Sequence, residues 1–223
     1  MKTTIMSLGG SLIVPDKVDY SFLRKFKKVI LPSARKSRFV IFCGGGKLAR
    51  DYQKALSELI NAPKEALDWM GIHATRINAE SVREIFGNDA DEKILTDPTK
   101  RIASKKRIII AAGWKPGWST DYDAVLVAKQ LKVREMINMS NVDFVYSADP
   151  KKSKSAKPLK EISWKNLRKL VGSKWSPGLN MPFDPIAAKQ AERQKLLVYV
   201  IGRDLNNLQN VLIHKPFKGT LIR

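Results

Sequence analysis

Residues 40–50 read VIFCGGGKLAR, and this stretch decides the fold. Four apolar residues are followed by Gly44, Gly45 and Gly46, and then Leu48, Tyr52, Ala55, Leu56, Leu59 and Ile60 recur at helical spacing. A short apolar run, a turn and an amphipathic helix of this kind form the strand–turn–helix unit of a parallel sheet. Near-continuous apolarity in the strand places covering layers on both of its faces.

The same unit recurs along the chain. Short runs rich in β-branched and apolar residues at 3–8, 38–43, 107–111, 135–139 and 196–201 predict strands, and 48–60, 120–131 and 186–194 predict helices. The expected fold class is α/β, a three-layer αβα sandwich around a mostly parallel central sheet. The chain has 223 residues and is 43% hydrophobic, enough for one domain or two closely joined lobes. The Lys- and Ser-rich stretch 151–157 reads as a surface loop and the hinge between lobes.

Forty-one Lys and Arg against 21 Asp and Glu give a net charge of +20, a field that attracts nucleotides, nucleic acid or anionic membranes alike. The cations fall in clusters interleaved with apolar residues: Arg24, Lys25, Lys27 and Lys28; Arg35, Lys36 and Arg38; Lys100, Arg101, Lys105, Lys106 and Arg107; Lys151, Lys152, Lys154, Lys157 and Lys160. Solvated faces of folded elements are the simpler reading, so nucleic acid is not the expected partner. Cys43 is the sole cysteine, which excludes an internal disulfide and a thiolate metal cluster. The opening apolar run is broken by Gly9, Gly10 and Pro15, and no apolar run reaches the length of a membrane span; a cytoplasmic protein without a membrane partner is expected.

Ligands of open parallel sheets bind beyond the carboxyl ends of the strands. Four loops there are unusual. Gly9, Gly10 and Ser11 follow the first strand, where bare backbone lets N–H groups approach an anion, or simply makes a tight turn. Gly44, Gly45, Gly46 and Lys47 open a helix that carries Arg50, so free N–H groups, the helix dipole and two cations converge on a phosphate; the spacing is not that of the common P-loop. Gly113, Trp114, Lys115, Pro116, Gly117, Trp118, Ser119, Thr120 and Asp121 combine glycines, hydroxyls that cap a helix or hold a phosphate, and tryptophans that border a base or pack in the core. Ser140, Asn141, Tyr146 and Asp149 lie in a polar segment that frames a nucleotide or forms an ordinary turn before Pro150. Two anion sites on one sheet edge suit phosphoryl transfer between two nucleotides.

The order of these loops resembles the amino acid kinase family and, in detail, its archaeal-type UMP kinases. The resemblance is carried by SLGGSL at 7–12, GGGKLAR at 44–50, Asp68 with Gly71, Ile72, Thr75, Arg76, Asn78 and Ala79, Gly113 with Pro116, Gly117, Ser119, Thr120 and Asp121, Asn141 with its neighbours through Tyr146, Asp149 with Pro150, and DPIAAK at 184–189. It implies an acceptor lobe over 1–131 and an ATP lobe over 132–223, with MgATP and UMP as substrates and a homo-oligomer, usually a hexamer. Gly10, Ser11, Gly46, Arg50, Ser140, Tyr146 and Asp149 are implied to bind ATP. Gly45, Asp68, Trp114, Lys115, Pro116, Gly117, Trp118, Ser119 and Thr120 are implied to hold UMP, and Lys47, Arg50 and Asn141 to serve catalysis. Asp68, read without the resemblance, is an exposed helix carboxylate; with it, the acceptor for ribose hydroxyls.

Three positions depart from the family pattern. Ser7 stands where many relatives have a Lys that contacts the transferred phosphoryl, which makes Lys47 the candidate replacement. Phe144 stands where Gly is usual, and 175–183 (WSPGLNMPF) is richer in aromatic and proline residues than the short loop expected before Asp184. Another small-acceptor kinase of the same family, or a nucleotide- or RNA-binding protein that has lost transfer, are the competing functions.

Overall fold

The computed structural model describes residues 2–150, 153–173 and 181–223. Lys151, Lys152 and most of the segment 175–183 therefore lie outside the described residues. Among the described residues the chain runs β1 (Lys2–Leu8), α1 (Gly10–Ile13), α2 (Tyr20–Ala34), β2 (Ser37–Cys43), α3 (Gly46–Leu59), α4 (Lys64–Phe86), β3 (Ile108–Ala111), α5 (Thr120–Gln130), β4 (Glu135–Met139), β5 (Val145–Tyr146), β6 (Pro158–Leu159), β7 (Glu161–Ile162), α6 (Trp164–Val171), α7 (Pro185–Arg193), β8 (Leu197–Ile201), α8 (Leu205–Leu212) and β9 (Thr220–Ile222).

The main sheet has the order β3-β2-β1-β4-β8-β9-β7. The first five strands are parallel, and β9 runs antiparallel to β8. Side chains of a strand alternate between faces, so a sheet covered on both sides must be apolar at every position. In β2, Phe39, Ile41 and Cys43 enter one core together with Phe22, Phe26, Val82, Phe86 and Leu208 of α2, α4 and α8. Val40 and Phe42 enter the other, with Ala124, Val127, Leu167, Ala187 and Ala188 of α5, α6 and α7. The αβα sandwich expected from the sequence is thus the observed architecture.

Local signals set the helix starts. Asp19, Ser119 and Asp184 cap α2, α5 and α7 by accepting the N–H groups of Phe22, Tyr122 and Ala187 at 2.9, 3.2 and 2.6 Å. Helix α4 ends at Gly87, whose φ of +57° is open to glycine at little cost. The segment after β5 turns back into β6, with the Ser147 N–H donating to the Lys157 carbonyl at 2.9 Å, so the described part of 151–157 is the tip of a hairpin.

Register brings the functional loops to one level. Leu8 lies opposite Cys43 of β2 and Met139 of β4. The ladder continues one residue further: Gly9 N–H donates to the Met139 carbonyl at 2.8 Å, Gly44 N–H to Leu8 at 2.9 Å and Ser140 N–H to Ile201 at 3.0 Å. Three of the four loops singled out from the sequence therefore leave the sheet side by side.

Candidate active site

The first two glycine loops meet back to back. A methyl group on Gly10 would overlap the amide nitrogen of Gly46, and one on Gly44 would stand 2.7 Å from the Gly10 nitrogen. Gly46 has φ of +62°. Such contact excludes any side chain, which is why consecutive glycines are required on both strands' ends. Gly10 itself begins the single turn of α1, and Gly46 begins the 14-residue α3, whose free N–H groups and dipole favour an anion.

Helix α4 pins this assembly from one side. Asn78, buried, donates its amide to the carbonyls of Gly44 and Gly45 at 2.7 and 3.2 Å. Thr75 accepts the Gly113 N–H at 2.8 Å and donates to the Ile72 carbonyl at 2.7 Å. Asp68 Oδ2 accepts the Gly117 N–H at 2.8 Å, while its Oδ1 is buried without a partner among the described residues. Burial, only partly offset by the Gly117 bond and reinforced by the nearby Glu65, raises the Asp68 carboxyl above its ordinary range. The residue is 7% exposed, which corrects the exposed-helix reading of its sequence alone: it lies on the α4 face that meets the loop after β3.

That loop carries the aromatic groups. Trp118 stacks on Tyr122 with ring centroids 4.3 Å apart, and the Lys115 ammonium sits 4.0 Å from the Trp114 ring. Both tryptophans are half-buried at the surface rather than in either core. Ser119 caps α5, so its capping role is realised, and its hydroxyl also bonds Asp184.

On the phosphate side, Lys47 is paired with Asp51 at 2.6 Å and Asp16 at 3.6 Å, which together raise its ammonium above the usual range. Arg50 is exposed one turn further along α3, and Ser11 is half-buried beside Gly10. In the loop after β4, Ser140 Oγ accepts the Val142 N–H at 3.2 Å, Asn141 is exposed, and Tyr146 is half-buried in β5. Asp149 follows that strand. Asp143 forms an ion pair with Lys218 and crowds Gly202, joining this loop to the turn after β8.

The position that departs most from the family pattern is occupied by a polar pair. Ser7, buried, donates its hydroxyl to Asp121 Oδ1 at 2.8 Å. The Asp121 carboxyl is enclosed, accepts the Asp184 backbone N–H, and is pushed up to about 6, mainly by burial. Asp123 and Asp184 complete an acidic group between α5 and the start of α7. Of these, the sequence reading assigned no role to Thr75, Asn78, Asp121, Asp123 or Asp184, although four of the five stand in the stretches that carry the resemblance; Asp123 carries no motif signal.

A five-stranded parallel core, paired glycine loops at its carboxyl edge and a buried carboxylate facing a tryptophan loop define a phosphoryl-transfer class of α/β enzyme. The chain belongs to the amino acid kinase family, whose model matches residues 2–202. It is 37% identical to the uridylate kinase of Thermoplasma volcanium, over 99% of this chain and 97% of that one. It is 35% identical to the uridylate kinase of Archaeoglobus fulgidus, over 98% and 96% of the two chains. The crystal structure of the Archaeoglobus fulgidus uridylate kinase superposes with a TM-score of 0.84, covering 100% of both chains at 35% identity. The fold is shared with the UMP kinase of Ureaplasma parvum, TM-score 0.78 at 18% identity, over 99% of this chain and 98% of that one.

Proposed function

We propose that this chain transfers the γ-phosphoryl group of MgATP to UMP, giving UDP and ADP. The observation that carries the reading is Asp68: a buried carboxylate oxygen without a partner, in a carboxyl group whose other oxygen fixes Gly117. A buried acceptor left unpaired costs free energy, and a ribose hydroxyl supplies the missing donor. Gly45, Trp114, Lys115, Pro116, Trp118, Ser119 and Thr120 complete the acceptor site in the 1–131 lobe.

MgATP takes the paired glycine loops. Gly10, Ser11, Gly46 and Arg50 accompany its phosphates, and Ser140, Tyr146 and Asp149 of the 132–223 lobe accompany its nucleoside. Mg²⁺ arrives on the phosphates of its nucleotide. The chain's contribution is then positioning and charge neutralisation: the α3 amino terminus, Lys47, Arg50 and Asn141 hold the anionic groups in line while the UMP phosphate attacks. No covalent enzyme intermediate is required.

The outer face of α3 supports self-association. Of its 14 residues only Ala49 is buried, while Tyr52 and Leu59, and Ile60 just beyond its end, are 58%, 81% and 54% exposed. An apolar surface of this kind is ordinarily covered by a copy of the same chain. Among the described residues no helix is long and apolar enough to cross a membrane, and we place the enzyme in the cytoplasm.

A coupled assay of ADP release across UMP, CMP, AMP, acetylglutamate and isopentenyl phosphate tests the substrate assignment; stimulation by UMP above the others is expected. Equal rates with all acceptors would remove UMP while leaving the kinase class. Normal turnover in both Arg50→Ala and Lys47→Ala would remove the phosphate site, and absent turnover with salt-steep RNA binding would favour a binding protein.

A further inference from the structure

Asp123 lies in the first turn of α5 with 0% of its surface exposed. Its Oδ2 accepts the backbone N–H of Trp114 at 3.1 Å, and its Oδ1 has no partner among the described residues. Trp114 is where the loop of residues 113–119 leaves β3, so this bond fixes the root of the loop that ends at the Asp68–Gly117 contact.

The charged groups acting on Asp123 are Asp184 at the start of α7, Asp121 on its own helix and Asp97 in the segment leading to β3; all are acids. The sheet face under α5 brings Ile5, Val40 and Phe42 into the same core, with the Ser7 hydroxyl already given to Asp121. The bases of α7, Lys189 and Arg193, are exposed. Asp121 has donors in Ser7 and the Asp184 amide, and Asp184 has donors in Ala187, Ile186 and Ser119. Asp123 has the single Trp114 N–H.

Three carboxylates so close without a base cannot all be charged at modest cost, and the proton settles on the one with the fewest donors. We infer that Asp123 is a positioning residue that works as the neutral acid: it anchors the root of the 113–119 loop, and its ionisation, which sets a further buried charge against Asp184 and Asp121, disrupts the α5–α7 packing that holds the loop on which the acceptor sits. The role of that loop rests on the acceptor site proposed above; the anchoring does not. Burial foremost, then Asp184, Asp121 and Asp97, push the carboxyl up to about 8 against the Trp114 bond, so the change from neutral to charged falls just above neutral pH.

The test is Asp123→Asn, which keeps the shape and an acceptor for Trp114 but carries no proton to lose. The folded-state value is raised above the unfolded one, so the stability it contributes is complete in acid and lost as pH rises through about 8. Melting temperatures of the two proteins should therefore converge near about pH 4 and diverge as pH rises to about 8, the wild type falling and Asp123→Asn holding. The UMP KM of the wild type should rise about tenfold as pH rises through about 8 while that of Asp123→Asn stays level.

A melting-temperature difference that is constant with pH overturns the proposal, as does an acceptor KM already raised in Asp123→Asn at acid pH. If Asp123→Asn does not fold, the carboxyl ¹³C titration of the wild type decides: no aspartate titrating above neutrality overturns it. Melting and ¹³C titration need no turnover, so a wrong acceptor assignment shows separately, as the expected pH response without a UMP effect.

Discussion

The carboxylate of Asp68 reaches across 49 residues of sequence to accept the Gly117 N–H at 2.8 Å, so one side chain of α4 both closes the loop after β3 and leaves its second oxygen unpaired. The two oxygens separate two roles. Asp68→Asn keeps one acceptor but replaces the other oxygen by a donor, which is mispaired against a hydroxyl or against Gly117. The acceptor KM should rise about tenfold to a hundredfold, the value of one hydrogen bond to a charged group, with the ATP KM unchanged. Steady-state kinetics with each substrate varied in turn checks this; an equal effect on both KM values would mean that Asp68 serves the fold alone.

Gly10 and Gly46 touch so closely that neither tolerates a Cβ. Gly10→Ala should separate the first two loops, cost about 1–3 kcal/mol of stability and abolish ATP binding. Gly87→Ala is the contrast: φ is +57° there, in the left-handed region that Gly10 does not occupy, but nothing stands within 4 Å of a new methyl group. It should cost about 1 kcal/mol and leave turnover intact. Thermal melting and ATP titration of the two variants separate a steric requirement from a backbone one.

The fold was legible because apolar runs buried on two faces leave a continuous signal: 3–8, 38–43, 135–139 and 196–201 each match a strand to within a residue. Helices α2, α6 and α8 were not singled out, although apolar residues recur at helical spacing in them, as Phe22, Phe26 and Ile30 do in α2; Pro32 sits inside α2, and α6 and α8 have eight residues each, too few turns for the period to stand out. Strand β9 has three residues, too few for a period to register. In the site, the glycine loops were visible as composition, and the back-to-back contact that requires them was not. Asp68 could be weighed only by resemblance, because a carboxylate on a helix looks the same in sequence whether it faces water or Gly117. Asp123 was invisible altogether: its burial arises from α5 packing on the sheet and α7, contacts made by segments about 60 residues apart.

The bond between Ser7 and Asp121 makes a pH prediction. The Asp121 carboxyl is held at about 6, above its unfolded value of 3.8, so the stability it contributes is complete below about pH 4 and is lost as pH rises through about 6. The Ser7 hydroxyl opposes burial by stabilising the charged form. Ser7→Ala removes that donor, moves the carboxyl further up and should cost about 1–2 kcal/mol at neutral pH but less in acid. Urea unfolding of both proteins at several pH values measures it; a penalty independent of pH would show that the hydroxyl supports packing and not the charge.

Leu59 ends α3 with 81% of its surface exposed, next to Ile60 at 54% and on the same helix as Tyr52 at 58%. Only Ala49 of this helix is buried, so its apolar positions at 52, 55, 56, 59 and 60 serve no core of the single chain. If a second copy covers them, a charge at Leu59 meets apolar surface and its own symmetry mate, and desolvation and repulsion both oppose assembly. Leu59→Glu should therefore dissociate the oligomer, whereas Lys54→Glu, on the same helix at an exposed polar position, should not. Sedimentation equilibrium of the wild type and both variants distinguishes the cases. Because Leu59 makes no core contact, the Leu59→Glu chain should keep its own fold by circular dichroism. A wild type that sediments as one chain would end the assembly proposal without touching the catalytic one.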